Sequence, residues 1–210
     1  MEQLQELLIA YNNKIPFGDR YTWSEQYLSS EFPYYWQVVY SQLSKLDKSM
    51  RVLEIGAGQG DITAICCYLG FRNITAFERN PKDFSIAQEK LSSLFGRNDI
   101  LTNGYFQNEK IASDILIIVN CAYAEGSHNK DQYISILEGY YKAACNPSIF
   151  ILEVIDTSYT IPDIEFPEWI RLSKEDIRSL FPNAKITEIE TYKYPTNKRS
   201  KTLYIIKHNL

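Results

Sequence analysis

The chain has 210 residues, is 45% hydrophobic and carries a formal net charge of −4 with a pI near 5.3. That length and even composition predict one domain, residues 1–210, long enough to bury a full core. The acidic balance argues against nucleic acid as a partner, and the longest fully apolar run, Ile115 to Val119, is far too short to cross a bilayer, so no membrane association is expected.

Met1 leads into Glu2 and Glu6 rather than a basic start followed by an apolar run, so a cytoplasmic location is expected. Cys66, Cys67, Cys121 and Cys145 contain no C-x-x-C pair and read as reduced core fillers; with only His128 and His208 there is no metal-ligand spacing. Nothing in the composition speaks to the oligomeric state.

Leu4, Leu7, Leu8 and Tyr11 predict a short amphipathic helix, followed by a polar, aromatic-rich loop to Ser30. Pro33 then sits early in a second helix carrying Trp36, Val39, Tyr40 and Leu43. Residues 1–48 are thus expected to form a helical and aromatic cap, and residues 49–210 the core. Met50 to Ile55 predicts a buried strand, and Ile62, Ile65, Cys66 and Leu69 a helix that Gly70 closes. A second strand, Asn73 to Phe77, ends in Glu78, and Pro81 opens a helix with Phe84, Ala87, Leu91 and Leu94 that Gly96 stops. Asp99 to Leu101 predicts a brief third strand.

Ile115 to Val119 has the continuous β-branched and leucine character of a strand buried on both faces of a parallel sheet. A helix over Lys130 to Ala144, a fifth strand over Ile149 to Val154 and an irregular stretch from Asp156 to Leu172 follow. Ser173 to Asp176 has the form of a capping box opening a last helix. Ile186 to Tyr192 and Thr202 to Lys207 leave no room for a crossover helix between them, so they must pair antiparallel, with Lys193, Lys198, Arg199 and Lys201 read as the polar tip of that hairpin.

Between the first strand and its helix the chain reads V-L-E-I-G-A-G-Q-G-D, with glycine at 56, 58 and 60. Three glycines in a strand-to-helix turn call for positive φ or for a ligand pressed against bare backbone. A dinucleotide fingerprint would place its third glycine at position 61, which is Asp61. Glu78 lies 18 residues beyond Gly60, about where a doubly wound nucleotide-binding fold places a ribose-binding carboxylate.

The alternating glycines after Glu54, the acidic end of the second strand and the closing antiparallel hairpin together resemble the class I S-adenosylmethionine (SAM) dependent methyltransferases, from about residue 31 to the C-terminus. The resemblance implies a doubly wound α/β Rossmann-like sheet, mostly parallel, closed by a C-terminal antiparallel hairpin and preceded by N-terminal helices. It implies SAM as cofactor, with Glu54 orienting the methionine amino end, the backbone of Gly56, Ala57, Gly58 and Gly60 lying against the ligand, Glu78 holding the ribose and Arg79 near the adenine. The chain departs from the family's third motif, where Gly104 is followed by Tyr105 rather than an acidic residue; stacking of Tyr105 or Phe106 on the base, with Asn103 bonding it, is one reading, and an ordinary core aromatic is the other. Asn120, Cys121, Ala122 and Tyr123 stand at the fourth motif, which in amino-group methyltransferases reads Asn/Asp-Pro-Pro-Tyr, without its prolines.

Methyl transfer from a sulfonium needs proximity first and a base only when the acceptor must lose a proton. His128 and Tyr123 are the candidate catalytic residues, with Glu153 and Asp156 behind them. Tyr21, Trp23, Tyr27 and Tyr123 are the candidate substrate contacts, opposite a wall carrying Phe166 and Trp169. The expected activity is methyl transfer to an O or N atom of a small-molecule acceptor. A non-catalytic SAM-binding or interaction module is the alternative, and a nucleic-acid or protein methyltransferase or a NAD-dependent oxidoreductase stands further off.

Overall fold

A computed structural model describes residues 1–20, 34–106, 109–193 and 199–208. In chain order the elements are α1 (Glu2–Asn12), a 3-10 turn (Phe17–Asp19), α2 (Tyr34–Leu43), β1 (Arg51–Ile55), α3 (Asp61–Tyr68), β2 (Asn73–Glu78), α4 (Pro81–Phe95), β3 (Leu101–Asn103), β4 (Ile115–Ile118), α5 (Lys130–Ala143), β5 (Ile149–Asp156), a second 3-10 turn (Glu168–Ile170), β6 (Arg171–Leu172), α6 (Lys174–Leu180), β7 (Lys185–Tyr192) and β8 (Lys201–Lys207). They gather into two compact units, one of Met1–Met50 with Ala57–Tyr105 and one of Arg51–Gly56 with Phe106–Leu210.

In the first unit β2 and β3 pair in parallel, with Glu78 opposite Asn103. The local signals work as chemistry. Asn80 accepts from the Lys82 N–H at the head of α4, Pro81 fills its first position, and Gly96 ends it in the left-handed region. Helices α3 and α4 are joined by a buried ion pair, Lys90 Nζ to Asp61 Oδ1 at 2.6 Å, with Lys90 fully enclosed. The ammonium also lies 5.6 Å from the centroid of the Tyr11 ring, and Tyr11 donates to the Ile86 carbonyl. Burial and the nearby Glu89 charge push that phenol up to about 12.

The second unit holds a sheet in the order β1-β4-β5-β8-β7, with β6 on β5. Strands β1, β4 and β5 run parallel, and β8 and then β7 are added antiparallel. Every residue of β4 is buried, and β8 is buried from Thr202 to Ile206, whereas β7 alternates polar and apolar as an edge strand does. The capping box is present: the Ser173 hydroxyl accepts from the Asp176 N–H, and Asp176 accepts from the Ser173 N–H. Arg51 donates to Asp114 at 2.7 Å, fastening the start of β1 to the start of β4.

Four expectations are corrected. The third strand lies at Leu101–Asn103 rather than 99–101, because its pairing with Ala76 to Glu78 runs through the polar Thr102 and Asn103. The segment from Asp156 to Leu172 ends in strand β6 and is organised by buried Arg171, whose guanidinium donates to the carbonyls of Tyr159, Ile161 and Phe166. Cys145 is exposed, not a core filler, because it follows the end of α5 in a left-handed turn. The basic cluster is not uniformly a polar tip. Lys193 is exposed, Lys198 lies outside the described residues, but Arg199 pairs with Asp163 and Glu165 over the Phe166 ring, and Lys201 is part-buried beside Glu153.

Two outcomes follow from these ion pairs. Lys90→Met, which leaves Asp61 buried without its partner, is expected to cost about 3–5 kcal/mol in chemical denaturation, and Asp61→Asn added to it to recover much of that loss; equal costs for the single and double variants would show that charge is not what matters there. The hydrogen bond and charge of Arg51 hold the Asp114 carboxyl below its usual range. Its folded pKa is depressed, so its contribution is present above the unfolded value of about 4 and lost as pH falls through the folded one. Asp114→Asn should therefore flatten the acid limb of a stability-against-pH curve and leave the neutral-to-alkaline shape alone.

Candidate functional site

All three glycines of the strand-to-helix turn have positive φ, at 73°, 55° and 78°, yet they are needed for different reasons. A β-carbon at Gly56 would stand 2.6 Å from Cys121 Cβ and Sγ, and one at Gly60 would stand 3.0 Å from Ala87 Cβ, so packing excludes a side chain at both. Among the described residues a β-carbon at Gly58 would meet nothing within 4 Å. Only the left-handed backbone and the open space beside it ask for glycine there.

The Gly58 N–H donates to Glu78 Oε2 at 2.7 Å, and the Asn80 N–H donates to Glu78 Oε1 at the same distance. Glu78 is 7% exposed and its backbone is pinned as well: its carbonyl accepts from the Gly104 N–H and from Asn103 Nδ2, each at 2.9 Å. Ala57 is buried and donates to the Phe77 carbonyl. Arg79 and Tyr105, both candidates for the adenine end, are brought together: Arg79 Nη1 lies 3.1 Å from the Tyr105 hydroxyl, and its guanidinium 5.2 Å from the ring centroid. Tyr105 is 57% exposed, whereas Phe106 is buried.

In the second unit Glu54 is buried on β1 opposite Ile117 of β4. After β4 the chain turns through a run of left-handed residues, Asn120, Ala122, Ala124 and Glu125, before Gly126. Fully buried Glu153 of β5 holds the first part of this turn. Its Oε2 accepts from the Asn120 N–H at 3.1 Å and from the Tyr123 hydroxyl at 3.4 Å, and its Oε1 from the Thr191 hydroxyl at 2.8 Å. Lys201 Nζ lies 3.9 Å from Glu153 Oε2 and donates to the side-chain carbonyl of Asn120. Burial first, and then the Glu153 charge, hold the Tyr123 phenol well above its ordinary value, so it stays a neutral donor.

Asn120 and Tyr123 are thus brought together, and His128 is not part of their cluster. His128 is exposed, with its backbone N–H donating to Gln132 Oε1 at the head of α5. Glu153, read as a possible base, is instead enclosed by donors, and Asp156 accepts from the Thr202 hydroxyl. Phe166 packs edge-on against Tyr123, and Trp169 donates to the Ser127 carbonyl. Tyr21, Trp23 and Tyr27 lie outside the described residues. Sequence reasoning missed Thr191 and Lys201 as members of a site. The available signal was register: once β8 is paired antiparallel with β5, Lys201 faces Ile155 and stands diagonal to Glu153 on one face. Thr191 gave no such signal, since a bulge between Glu190 and Tyr192 sets its direction.

Among the described residues no helix is long and apolar enough to cross a membrane, and no group of His, Cys, Asp and Glu is arranged to hold a metal ion. No protein-family model and no curated protein matches the sequence. Solved structures do resemble it. Magnesium protoporphyrin IX methyltransferase from Synechocystis PCC 6803, solved with bound SAM, is 13% identical over 97% of each chain with a TM-score of 0.63. A SAM-dependent methyltransferase from Clostridium acetobutylicum ATCC 824 is 14% identical over 89% of this chain and 96% of its own, with a TM-score of 0.60. The methyltransferase domain of bacterial CtHen1-C is 10% identical over 85% of this chain and 98% of its own, also at 0.60. The parallel strands, the antiparallel end and these likenesses give the chain the fold of the class I SAM-dependent methyltransferases.

Proposed function

We propose that the chain is a SAM-dependent methyltransferase that moves a methyl group to an O or N atom of a small-molecule acceptor. The observation that carries this reading is the Glu78 carboxylate, seated by the Gly58 and Asn80 N–H groups beside a glycine whose β-carbon would meet nothing within 4 Å among the described residues. Each carboxylate oxygen accepts one backbone hydrogen bond and keeps lone-pair capacity for another. A carboxylate held with one free acceptor site on each oxygen matches a pair of vicinal hydroxyls, as a ribose presents.

The fold-level likeness to methyltransferases supports the same cofactor, and one of those structures contains it. SAM, when bound, supplies a methyl carbon already activated on a sulfonium. The residues of this chain have binding and orientation left to do. In that reading the exposed Tyr105 face, backed by Arg79, offers the adenine a stacking surface in place of the missing acidic residue. Glu54 keeps the role implied for it, a carboxylate for the ammonium of the methionine end. Asn120 and Tyr123 face the acceptor, and the cytoplasm is the proposed compartment.

Calorimetric titration of the purified chain should show micromolar binding of SAM and none of NAD; failure of both ligands to bind would sink the cofactor assignment. Glu78→Ala, checked for an intact melting transition, should weaken SAM by about 1.5–3 kcal/mol, the value of hydrogen bonds to a charged group. The glycines separate packing from binding. Gly58→Ala is expected to cost stability only about 1–2 kcal/mol for its left-handed backbone while lowering SAM affinity at least roughly tenfold. Gly56→Ala, which collides with Cys121, should instead lower the melting temperature sharply. Unchanged SAM affinity in Gly58→Ala would show that no ligand lies over that turn.

A further inference from the structure

The corner of the second unit where β4 and β5 end and β8 begins presents an unusual balance of hydrogen-bonding groups. Glu153 is fully buried and takes the Asn120 N–H, the Tyr123 hydroxyl and the Thr191 hydroxyl, with the Lys201 ammonium 3.9 Å away. Asn120 is clamped from two sides. Its backbone N–H goes to the carboxylate, and its side-chain carbonyl is taken by Lys201. Its side-chain NH2 is the donor it can offer a ligand.

Lys201 carries three N–H bonds, and among the described residues the Asn120 carbonyl is its one hydrogen-bond partner. The distance to Glu153 is too long for a hydrogen bond, and the flanking surfaces are the rings of Tyr123 and Tyr192, at 5.4 and 5.8 Å from the ammonium. Its side chain keeps 13% of its surface exposed, and Asn120 is also part-exposed. The Tyr123 oxygen is turned toward buried Glu153 by its own hydrogen bond. What the corner shows to a ligand is therefore donors with a positive charge.

That balance opposes an amine acceptor. Aligning a nitrogen lone pair requires oxygen acceptors for its N–H bonds, and the side-chain carbonyl of Asn120 already holds the Lys201 ammonium on one of its two lone pairs. A protonated amine would also face the Lys201 charge. Resting on the methyltransferase reading, we propose that Lys201 and the Asn120 side-chain amide form the acceptor subsite and bind the anionic oxygen of a carboxylate or phenolate, so that the chain is an O-methyltransferase. An O–C bond forms while the S–C bond of the sulfonium breaks with its electron pair remaining on sulfur. A carboxylate brings no proton to remove at neutral pH, and a phenol gives its proton to water as it binds beside the Lys201 charge; neither calls on His128, which lies outside the cluster.

Burial pulls the Lys201 ammonium below its usual range; Glu153 opposes that shift and Arg199 adds to it. An arriving oxyanion gives the ammonium a second counter-charge, so part of its burial cost is relieved on binding.

Benzoate and benzylamine, matched rings of opposite charge, test the assignment by calorimetry on the full chain. Benzoate should bind at least tenfold more tightly than benzylamine. Lys201→Met should lose at least tenfold in benzoate affinity and Lys201→Arg less. Asn120→Asp keeps an oxygen for Lys201 but exchanges the free donor for an acceptor, and it should weaken benzoate at least tenfold and narrow or reverse the preference for it; this variant stands in if Lys201→Met does not fold. Equal or tighter benzylamine binding, no benzoate binding, or benzoate affinity untouched in Asn120→Asp would each overturn the proposal. SAM titration of the same samples separates the two readings. SAM bound with benzylamine preferred overturns only the oxygen acceptor, whereas benzoate bound without SAM overturns the methyl-transfer role of the subsite.

Discussion

A carboxylate with no exposed surface is tolerable only if donors surround it, and in the second unit Glu153 meets that condition by drawing in three separate segments. The Asn120 N–H and Tyr123 hydroxyl come from the turn after β4, the Thr191 hydroxyl from the bulge in β7, and the Lys201 charge from the start of β8. The turn itself is costly. Four non-glycine residues, Asn120, Ala122, Ala124 and Glu125, hold left-handed backbone, at about 1–2 kcal/mol each. Such a backbone persists where its surroundings over-determine it, and the hydrogen bonds from Asn120 and Tyr123 to a fully enclosed carboxylate supply part of that constraint. The antiparallel hairpin is thus more than a closing edge: it carries a lysine and a threonine into the corner where the parallel strands end.

The first unit repeats the device with one difference. Glu78 is likewise a carboxylate at a strand end that collects backbone N–H groups, and its own carbonyl is held by Gly104 and Asn103. Glu153 is shut in completely, whereas Glu78 is 7% exposed and, among the described residues, accepts one backbone hydrogen bond on each oxygen. The same chemical group is therefore enclosed to different degrees at the two positions, by side chains and backbone of three segments at Glu153 and by two backbone N–H groups at Glu78.

Much of this was legible in the chain. Continuous apolar runs such as Ile115 to Ile118, helix boundaries marked by Asn80, Pro81, Gly96 and Ser173, and the missing crossover before β8 all report local physics, and local physics is what sequence pattern records. Glu78 and the glycine turn were legible because spacing along one strand-turn-helix unit sets their geometry. What escaped was set by long-range register. Thr102 and Asn103 look like loop residues until Ala76 to Glu78 pair with them. Arg171 looks like a surface charge until three carbonyls of an irregular segment surround it. Lys201 and Arg199 read as a hydrophilic tip because their acidic partners, Glu153, Asp163 and Glu165, lie more than thirty residues away in sequence.

The same distinction bears on how a fold persists at 10–14% identity to its structural likenesses. Of the three glycines, two are demanded by neighbours, Cys121 beside Gly56 and Ala87 beside Gly60, so a change there calls for a matched change elsewhere in the core. Among the described residues Gly58 has no such neighbour, and its N–H donates to the Glu78 side chain. Packing would accept a β-carbon at that position, and the left-handed backbone alone would admit an asparagine or aspartate at modest cost. Among the described residues, packing therefore accounts for two of the three glycines, and left-handed backbone alone for the third.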